Sequence, residues 1–178
     1  MSGETWFIAD THFGHANILK FEDEAGNRVR PHFSTIEEMN EALILNWNSV
    51  VAPEDKVYHL GDVCFGGIET VRSVLPRLNG KKRLILGNHD RVKGHELWKY
   101  FQDIDLWKNF DEHDFVATHI PILPNQFRGG VKYNVHGHVH RSPDVSPVHH
   151  NISCEMTNYT PIHLDVLKRR IEEKRNRK

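Results

Sequence analysis

The chain has 178 residues, of which 38% are hydrophobic and 26% are charged, and its formal net charge is −1. These values are typical of a soluble globular protein and exclude a disordered chain, and the charge gives no indication of a nucleic-acid binder. We expect a single domain over residues 1–178, because this length supports one sizeable core.

The sequence also gives expectations about membrane association and cellular location. The Met1-Ser2-Gly3-Glu4 start has none of the features expected of a signal peptide, and no apolar run reaches membrane-spanning length, so we expect no membrane partner. Two cysteines, Cys64 and Cys154, cannot build a disulfide framework and favour a cytoplasmic location. The 14 histidines are the unusual feature of the composition and favour metal chemistry.

The apolar runs predict that strands and helices alternate along the chain. Short β-prone runs predict strands, and apolar residues at helical spacing predict helices. Strands are expected at 5–9, 56–60, 83–86 and 115–118, and as a pair within 148–159. Helices are expected at 34–50, 68–78, 95–101 and about 163–178, the last of them basic. Residues 102–111 give no clear pattern.

The first helix carries the strongest local signals. Ser34 is a predicted N-cap, and Glu37 three residues later completes a capping box. The buried stripe of this helix is expected to comprise Ile36, Met39, Leu43, Trp47 and Val50. Pro76 should weaken the last turn of the second helix. His59, within a predicted strand, is interpreted as a core histidine.

Polar residues follow several of the predicted strands. In α/β sheets, ligands bind beyond the carboxyl ends of the strands, so these residues should meet at one edge of the fold. Alternate residues of an extended segment point to the same face, which lets Asp10 and His12 converge. The full set is Asp10, His12, Asp62, Asn88, His89, His119, His138 and His140.

The turn Gly87-Asn88-His89-Asp90 leaves several roles open. Asn88 can offer an oxygen to a hard cation, His89 can bind a metal or move a proton, and Asp90 can orient that histidine. Each of these residue types is also a common turn former. The roles of these three residues therefore depend on which residues at the other strand ends lie beside them.

Taken together, the polar residues form a set of metal ligands without a thiolate. Two carboxylates, one amide oxygen and several imidazoles suit Mn²⁺, Fe or Zn²⁺ rather than a structural cysteine–zinc site. The groups are too many for one ion and about right for two ions that share a carboxylate.

The motifs occur as a series of five blocks across residues 10–140: Asp10-x-His12, Gly61-Asp62, Gly87-Asn88-His89-Asp90, His119 and Gly137-His138-x-His140. In this order they resemble the calcineurin-like metallophosphoesterase superfamily, in its small stand-alone form. The resemblance implies a four-layer α-β-β-α sandwich. Its two mixed β-sheets would be flanked by helices, with the metal site at the carboxyl ends of the strands.

The resemblance also implies a role for each ligand. Asp10, His12 and His140 would hold one divalent ion, and Asp62 would bridge to a second. Asn88, His119 and His138 would complete the second site. We expect Mn²⁺ as the metal, with Fe, Zn²⁺ and Ni²⁺ as alternatives.

The implied activity is hydrolysis of a phosphoester by in-line attack of a hydroxide held by the two ions. His89 would protonate the leaving oxygen, and Asp90 would orient it. Gly61-Asp62 lacks the acidic and basic partners found in serine/threonine protein phosphatases, and the chain has no room for the capping domain of Mre11-type nucleases. The implied activity is therefore that of a phosphodiesterase, or alternatively a phosphomonoesterase, acting on a small or nucleotide-like phosphoester.

Other features leave substrate binding and alternatives open. The irregular segment 13–33 and the turn at 126–130 supply the candidate phosphate-binding residues His15, Arg28, Arg30 and Arg128. Solvated loop residues are the alternative for all of them. The basic C-terminal helix allows a nuclease or a nucleic-acid end-processing phosphatase. A protein-binding scaffold with the same fold is a third interpretation.

Overall fold

A computed structural model of the chain describes residues 3–23, 25–90 and 94–176. Its larger sheet has five strands in the order β4-β3-β2-β1-β9. Strands β1 to β4 run parallel to one another, and β9 pairs antiparallel with β1. These strands are β1 (Thr5–Ile8), β2 (Lys56–His59), β3 (Lys81–Ile85), β4 (Asp103–Asp105) and β9 (Ile162–His163).

The smaller sheet has four strands in the order β5-β6-β7-β8. Strands β6, β7 and β8 are parallel, and β5 is antiparallel to β6. Its strands are β5 (Trp107–Phe110), β6 (Phe115–Thr118), β7 (Tyr133–His136) and β8 (His149–Asn151). Both sheets are mixed, and the described residues also form four α-helices, so the predicted α/β sandwich is confirmed.

Three helices cover one face of the five-stranded sheet. They are α1 (Ile36–Val50), α2 (Ile68–Val74) and α3 (Gly94–Leu97). From α1, Met39, Leu43 and Trp47 are buried as predicted, whereas Ile36 and Val50 are half-buried at the ends of the stripe. After α2 the chain continues as a 3₁₀ turn that contains Pro76, which cannot donate the amide hydrogen bond of an α-helix.

The two sheets face each other across a second apolar cluster. Phe7 and Ile85 from the larger sheet contact a core that includes Phe115 and Val135 from the smaller one. Helix α4 (Leu164–Asn176) adds Leu167 and Ile171 to this same core. Among the described residues, no helix is long and apolar enough to cross a membrane.

Several details differ from the sequence-based predictions, among them the length of α3, which spans Gly94–Leu97 rather than 95–101. The N-cap of α1 is Thr35, whose hydroxyl accepts from the Glu38 amide at 3.1 Å, so the capping box lies one residue after the predicted Ser34. Within 148–159 only one strand forms, because the chain turns through a 3₁₀ segment at Cys154–Thr157. Asn158 and Tyr159 then adopt positive φ angles of 53° and 57°, which a strand cannot contain.

Candidate metal centre

Two groups of potential ligands gather where the parallel strands end. The first cluster consists of Asp10 and His12, which follow β1, and His140, which follows β7. Each offers one ligand atom, and these atoms all lie within 4.8 Å of one another. Residues from both sheets therefore meet at one point.

The second cluster consists of Asp62, His119 and His138, whose ligand atoms also lie within 4.8 Å of one another. Asn88 joins this cluster, because its Oδ1 lies 3.0 Å from Nε2 of His119. The Nδ1 atom of His138 lies 3.3 Å from that same nitrogen. Strands β2, β3, β6 and β7 precede these residues.

Asp62 lies between the two clusters. One of its oxygens, Oδ2, is 3.5 Å from Nε2 of His12 and 3.4 Å from Nε2 of His119. Its other oxygen, Oδ1, accepts a hydrogen bond of 2.9 Å from the His89 backbone amide. A single carboxylate thus faces a histidine of each cluster.

The ligand histidines are oriented by groups behind them. Nδ1 of His119 lies 2.8 Å from the Leu60 carbonyl, to which only a protonated nitrogen can donate. Nδ1 of His140 donates to the Glu155 carboxylate at 3.0 Å. In each ring Nε2 is therefore left for the cluster, which is the arrangement that metal-binding histidines commonly show.

Unsatisfied polar atoms fit an ion at the first cluster. Oδ1 of Asp10 and both ring nitrogens of His12 are buried without a hydrogen-bond partner among the described residues. A buried polar atom without a partner costs free energy, and a cation would satisfy both an oxygen and an imidazole nitrogen. The donor set of the chain is therefore compatible with divalent metal ions.

Burial and neighbouring charges shift the pKa values of three of these residues. Burial raises the pKa of the Asp10 carboxyl to about 6. Burial, reinforced by the charge of Arg30, lowers the pKa of His12 to about 2, so its imidazole is neutral and able to bind a metal. Burial also acts to lower the pKa of His119, but its hydrogen bond with Asp62 and the charges of Asp10 and Asp62 outweigh it and raise that pKa to about 9.

The backbone is strained at the same residues. Among the described residues, eight non-glycine residues have positive φ angles. Such angles cost a non-glycine residue about 1 kcal/mol and cluster at functional sites. Five of the eight are members of the two clusters: Asp10, His12, Asp62, His138 and His140.

Two glycines allow the clusters to close. A Cβ atom at Gly87 would overlap the Asp62 carboxylate, and one at Gly137 would overlap the carboxylate of Asp10. Each glycine precedes a candidate ligand, Asn88 and His138 respectively. The glycines of the two motifs thus permit a close backbone approach that no other residue tolerates.

His89 lies at the open side of the clusters. Its side chain is exposed, and its ring centroid is 5.6 Å from that of His12 and 5.0 Å from that of Phe65. Its backbone amide holds Asp62, as described above. The structure therefore places His89 beside both clusters, with its ring accessible to a substrate.

Asp90 lies where it cannot have the predicted role. Its two carboxylate oxygens accept hydrogen bonds from the backbone amides of Asp62 (2.8 Å), Val63 (3.0 Å) and Gly87 (3.0 Å). The residue joins the turns after β2 and β3. The prediction that Asp90 orients the His89 ring is corrected: it is a structural tie between these turns.

Arg30, a predicted substrate-binding residue, lies in the protein core rather than at the surface of the site. Its side chain is 0% exposed and pairs with Glu155 at 2.8 Å. It also donates to the backbone carbonyls of Asp10 and Thr11. A buried and fully bonded guanidinium cannot bind a substrate phosphate, so this prediction is corrected: Arg30 holds the segment that carries the first cluster.

The other three predicted substrate-binding residues are dispersed. His15 is buried beside His12, with ring centroids 5.3 Å apart, and stacks on Phe65 at 3.7 Å. Arg28 is exposed, and among the described residues no contact joins its side chain to the clusters. Arg128 is exposed and donates to the Asn125 and Phe127 carbonyls, both at 3.0 Å.

Glu155 was not found from the sequence. Its side chain is 1% exposed, and it links Arg30 to His140. It lies within the segment 148–159, which was interpreted only as a strand pair, and Arg30 lies 125 positions away in the chain. His59 likewise has a specific partner, because its Nε2 lies 2.9 Å from the Thr11 hydroxyl next to Asp10.

The sequence and the structure of the chain are similar to those of several other proteins. No family model matches it. It is 28% identical to the gene 66 protein of Mycobacterium phage L5, over 76% of this chain and 77% of the phage protein. A crystal structure of a protein of unknown function, AQ665 from Aquifex aeolicus, matches with a TM-score of 0.72 and 24% identity, covering 94% of this chain and 98% of that one.

A relative from an archaeon has higher identity over nearly the full length. The uncharacterized protein MJ1445 of Methanocaldococcus jannaschii is 36% identical over 179 aligned positions, covering 94% of this chain and 91% of its own. None of these names states an activity, so the comparisons establish kinship and fold. The chain belongs to the protein family of MJ1445.

Proposed function

We propose that this protein is a phosphoester hydrolase that uses two divalent metal ions. The expected metal is Mn²⁺, and the alternatives are Fe, Zn²⁺ and Ni²⁺. One observation carries the proposal: Asp62 lies between two ligand clusters, within 3.5 Å of His12 and 3.4 Å of His119. A carboxylate shared between two N/O ligand sets is the arrangement used to hold paired metal ions. The order of the five motifs, which resembles that of calcineurin-like metallophosphoesterases, supports the same assignment.

Each ligand has a role in the proposal. Asp10, His12 and His140 hold one ion, and Asn88, His119 and His138 hold the other, with Asp62 shared. When bound, two such ions supply Lewis acidity that polarises the phosphoryl group and acidifies a water molecule. Glu155 and the Leu60 carbonyl fix the rings of His140 and His119, so the ligands need little rearrangement.

His89 acts on the leaving group in this proposal. Its ring is exposed beside the first cluster and is held there by the turn whose amide binds Asp62. An imidazolium can donate a proton to the leaving oxygen of an ester as the bond to phosphorus breaks. His89 is not needed as a ligand, because the clusters already contain six other residues and the shared Asp62.

The substrate class in this proposal is the one that the resemblance of the motifs implies. We infer a small or nucleotide-like phosphoester, with diesters preferred, hydrolysed in the cytosol. Lys174 on the basic helix already contacts the Asp144 carboxylate and the carbonyls of Ser146 and His149. Arg177 and Lys178 lie outside the described residues. No contact in the described structure favours the nuclease or the scaffold over this proposal.

A substrate panel tests the proposal. Metal-free protein is reconstituted with Mn²⁺ and assayed on matched phosphomonoesters, phosphodiesters, cyclic nucleotides and short oligonucleotides. The proposal predicts turnover of small esters that is abolished by a chelator and restored by the metal. Metal uptake without hydrolysis of any ester would refute it. Turnover whose substrate affinity falls steeply with salt would favour the nuclease.

A further inference from the structure

An apolar groove adjoins the second cluster. Its volume is about 740 Å³, within the range of small-molecule sites. Asn88 and His119 belong both to the second cluster and to the wall of the groove. The groove therefore continues directly from the place where the proposed function puts the phosphate.

The floor of the groove is the outer face of the smaller sheet. Phe115 and Ala117 of β6 point into the core between the sheets, so Val116 and Thr118 point the other way. Trp107 pairs with Thr118 and Asn109 with Val116, which places both β5 residues on this outer face.

The segment after β6 forms the opposite wall. Ile120, Ile122 and Phe127 line the groove from this segment. The wall is held in place by hydrogen bonds: Thr118 Oγ1 donates to the Ile120 carbonyl at 2.6 Å, and the Ile122 amide donates to Asn134 at 2.9 Å. Hydrogen bonds to the backbone therefore fix this wall of the groove.

Large apolar side chains remain open to solvent at this groove. Trp107 is 62% exposed, Leu106 is 66% exposed and Ile120 is 50% exposed. A contiguous apolar surface of this kind commonly marks a binding site. Apart from His119, the only ionisable residue among the described residues that line the groove is Arg128. Its guanidinium already donates hydrogen bonds to two backbone carbonyls.

We propose that this groove binds a planar apolar ring carried by the substrate, such as a nucleobase or an aryl group, while the phosphoester lies at the clusters. The proposal rests on the proposed function and names its substrate class. The exposed indole of Trp107 provides a face for stacking, and the amides of Asn109 and Gln126 provide hydrogen-bonding groups for the edge of a base. A polyanionic strand does not fit a groove with a single, already bonded cation.

The test compares substrates that share the reacting ester and differ in the ring. One pair is adenosine 5′-monophosphate and ribose 5-phosphate, a second is benzyl and methyl phosphate, and each is also assayed as its methyl diester. Trp107→Ala should raise KM for the ring-bearing member by about tenfold and leave its partner unchanged, as expected for the loss of one stacking contact. Trp98→Ala, which removes an indole that is 57% exposed and outside the groove, should change neither.

The outcomes separate the sources of the ring. An effect on both pairs supports a planar ring of either origin, and an effect on the nucleotide pair alone supports a nucleobase. Equal changes within each pair, or no change, overturn the proposal. It is also overturned if the wild type is a dimer that Trp107→Ala dissociates, because a second copy then covers the groove.

A binding measurement distinguishes this proposal from the proposed function. Adenosine has no phosphate, and its binding is followed by quenching of tryptophan fluorescence in the Mn²⁺-loaded protein. Quenching that is lost in Trp107→Ala and kept in Trp98→Ala supports the groove even if no ester is hydrolysed. Hydrolysis of esters without such quenching overturns the groove and leaves the proposed function standing.

Discussion

His89 is the residue whose role depends most on the chemistry proposed. Its ring is exposed and is not needed as a ligand, so a substitution can remove a proton donor without removing a metal. We predict that His89→Ala retains the metal content and lowers kcat by about 10²–10⁴-fold for poor leaving groups. For good leaving groups the loss should be much smaller.

The measurement is a series of aryl esters with leaving groups of graded pKa. His95→Ala, a surface histidine of α3, is the matched control and should behave as the wild type. An equal loss across the series would rule out the proton-donor role. Loss of metal from His89→Ala would show that the residue is a ligand instead.

Backbone strain at the ligands gives a second prediction at the residue scale. His138 has a φ of 73°, which glycine adopts freely and alanine does not. Both His138→Gly and His138→Ala remove the same ligand. In metal-free protein we predict that the glycine variant is the more stable one by about 1 kcal/mol.

Denaturant unfolding measures this difference. The same pair of substitutions at Glu172, an exposed residue inside helix α4, should give the opposite order, because glycine is the poorer helix former there. A His138 pair in which alanine is equal or better would show that the left-handed conformation is not held in solution.

Behind the ligands, Glu155 is a positioning residue for His140. Glu155→Gln keeps the shape of the side chain but weakens its bonds to His140 and Arg30. We predict that metal affinity falls about 10–100-fold, as is typical when a partner of a ligating histidine is lost. Competition with a metal-binding dye measures it.

The control for this variant lies on α4. Glu172→Gln changes an exposed carboxylate of the same charge and should leave the metal affinity unchanged. An unchanged affinity in Glu155→Gln would mean that His140 is oriented without it, or that His140 is not a ligand.

At the scale of elements, the turns after β2 and β3 depend on one another. Asp90 accepts from three backbone amides in these turns, and burial makes each of those bonds expensive to lose. Asp90→Asn replaces one accepting oxygen with a donor that faces an amide. We predict a loss of about 2 kcal/mol of unfolding free energy, together with weaker metal binding.

Calorimetry and denaturant unfolding test this prediction. Asp105→Asn, at the exposed end of β4, is the control and should change stability by less than about 0.5 kcal/mol. If Asp90→Asn lost activity at unchanged stability and unchanged metal content, the residue would be acting on the chemistry rather than on the turns.

The elements were predictable to different degrees for physical reasons. Strands β1, β2, β3 and β6 are short apolar runs that end at polar turns, so their positions follow from the pattern. Strand β7, which precedes His138 and His140, was not predicted as a strand. The cap of α1 was misplaced by one residue because Ser34 with Glu37 and Thr35 with Glu38 both satisfy the capping pattern. Strands β4 and β5 at 103–110 were missed because their half-exposed residues do not alternate clearly.

The residues of the candidate site were also predictable to different degrees. Asp10 and His12 meet as predicted, but their φ angles of 57° and 49° show that the chain is not extended at these residues. The contact of Arg30 with Glu155 depends instead on the fold closing across 125 positions. A polar residue in a loop can therefore be assigned to the solvent or to a substrate while it lies in the core. Arg30 shows this, since its charge is fully buried.

On the scale of the whole molecule, the two sheets are halves of one site. The larger sheet supplies Asp10, Asp62 and Asn88, and the smaller sheet supplies His119, His138 and His140. Hydrogen bonds cross between the sheets at the clusters, from the His138 amide to Asp10 and from His119 to the Leu60 carbonyl. Metal binding should therefore stabilise the packing of one sheet on the other, by an amount that rises with the logarithm of the free ion concentration.

The number of metal ions bound per chain tests the central claim most directly. Equilibrium dialysis of the wild type against Mn²⁺ should give two ions per chain. Asp62→Asn should bind both ions more weakly, because the shared carboxylate contacts both clusters. A single ion in the wild type, or unchanged stoichiometry and affinity in Asp62→Asn, would contradict the account of a paired metal centre.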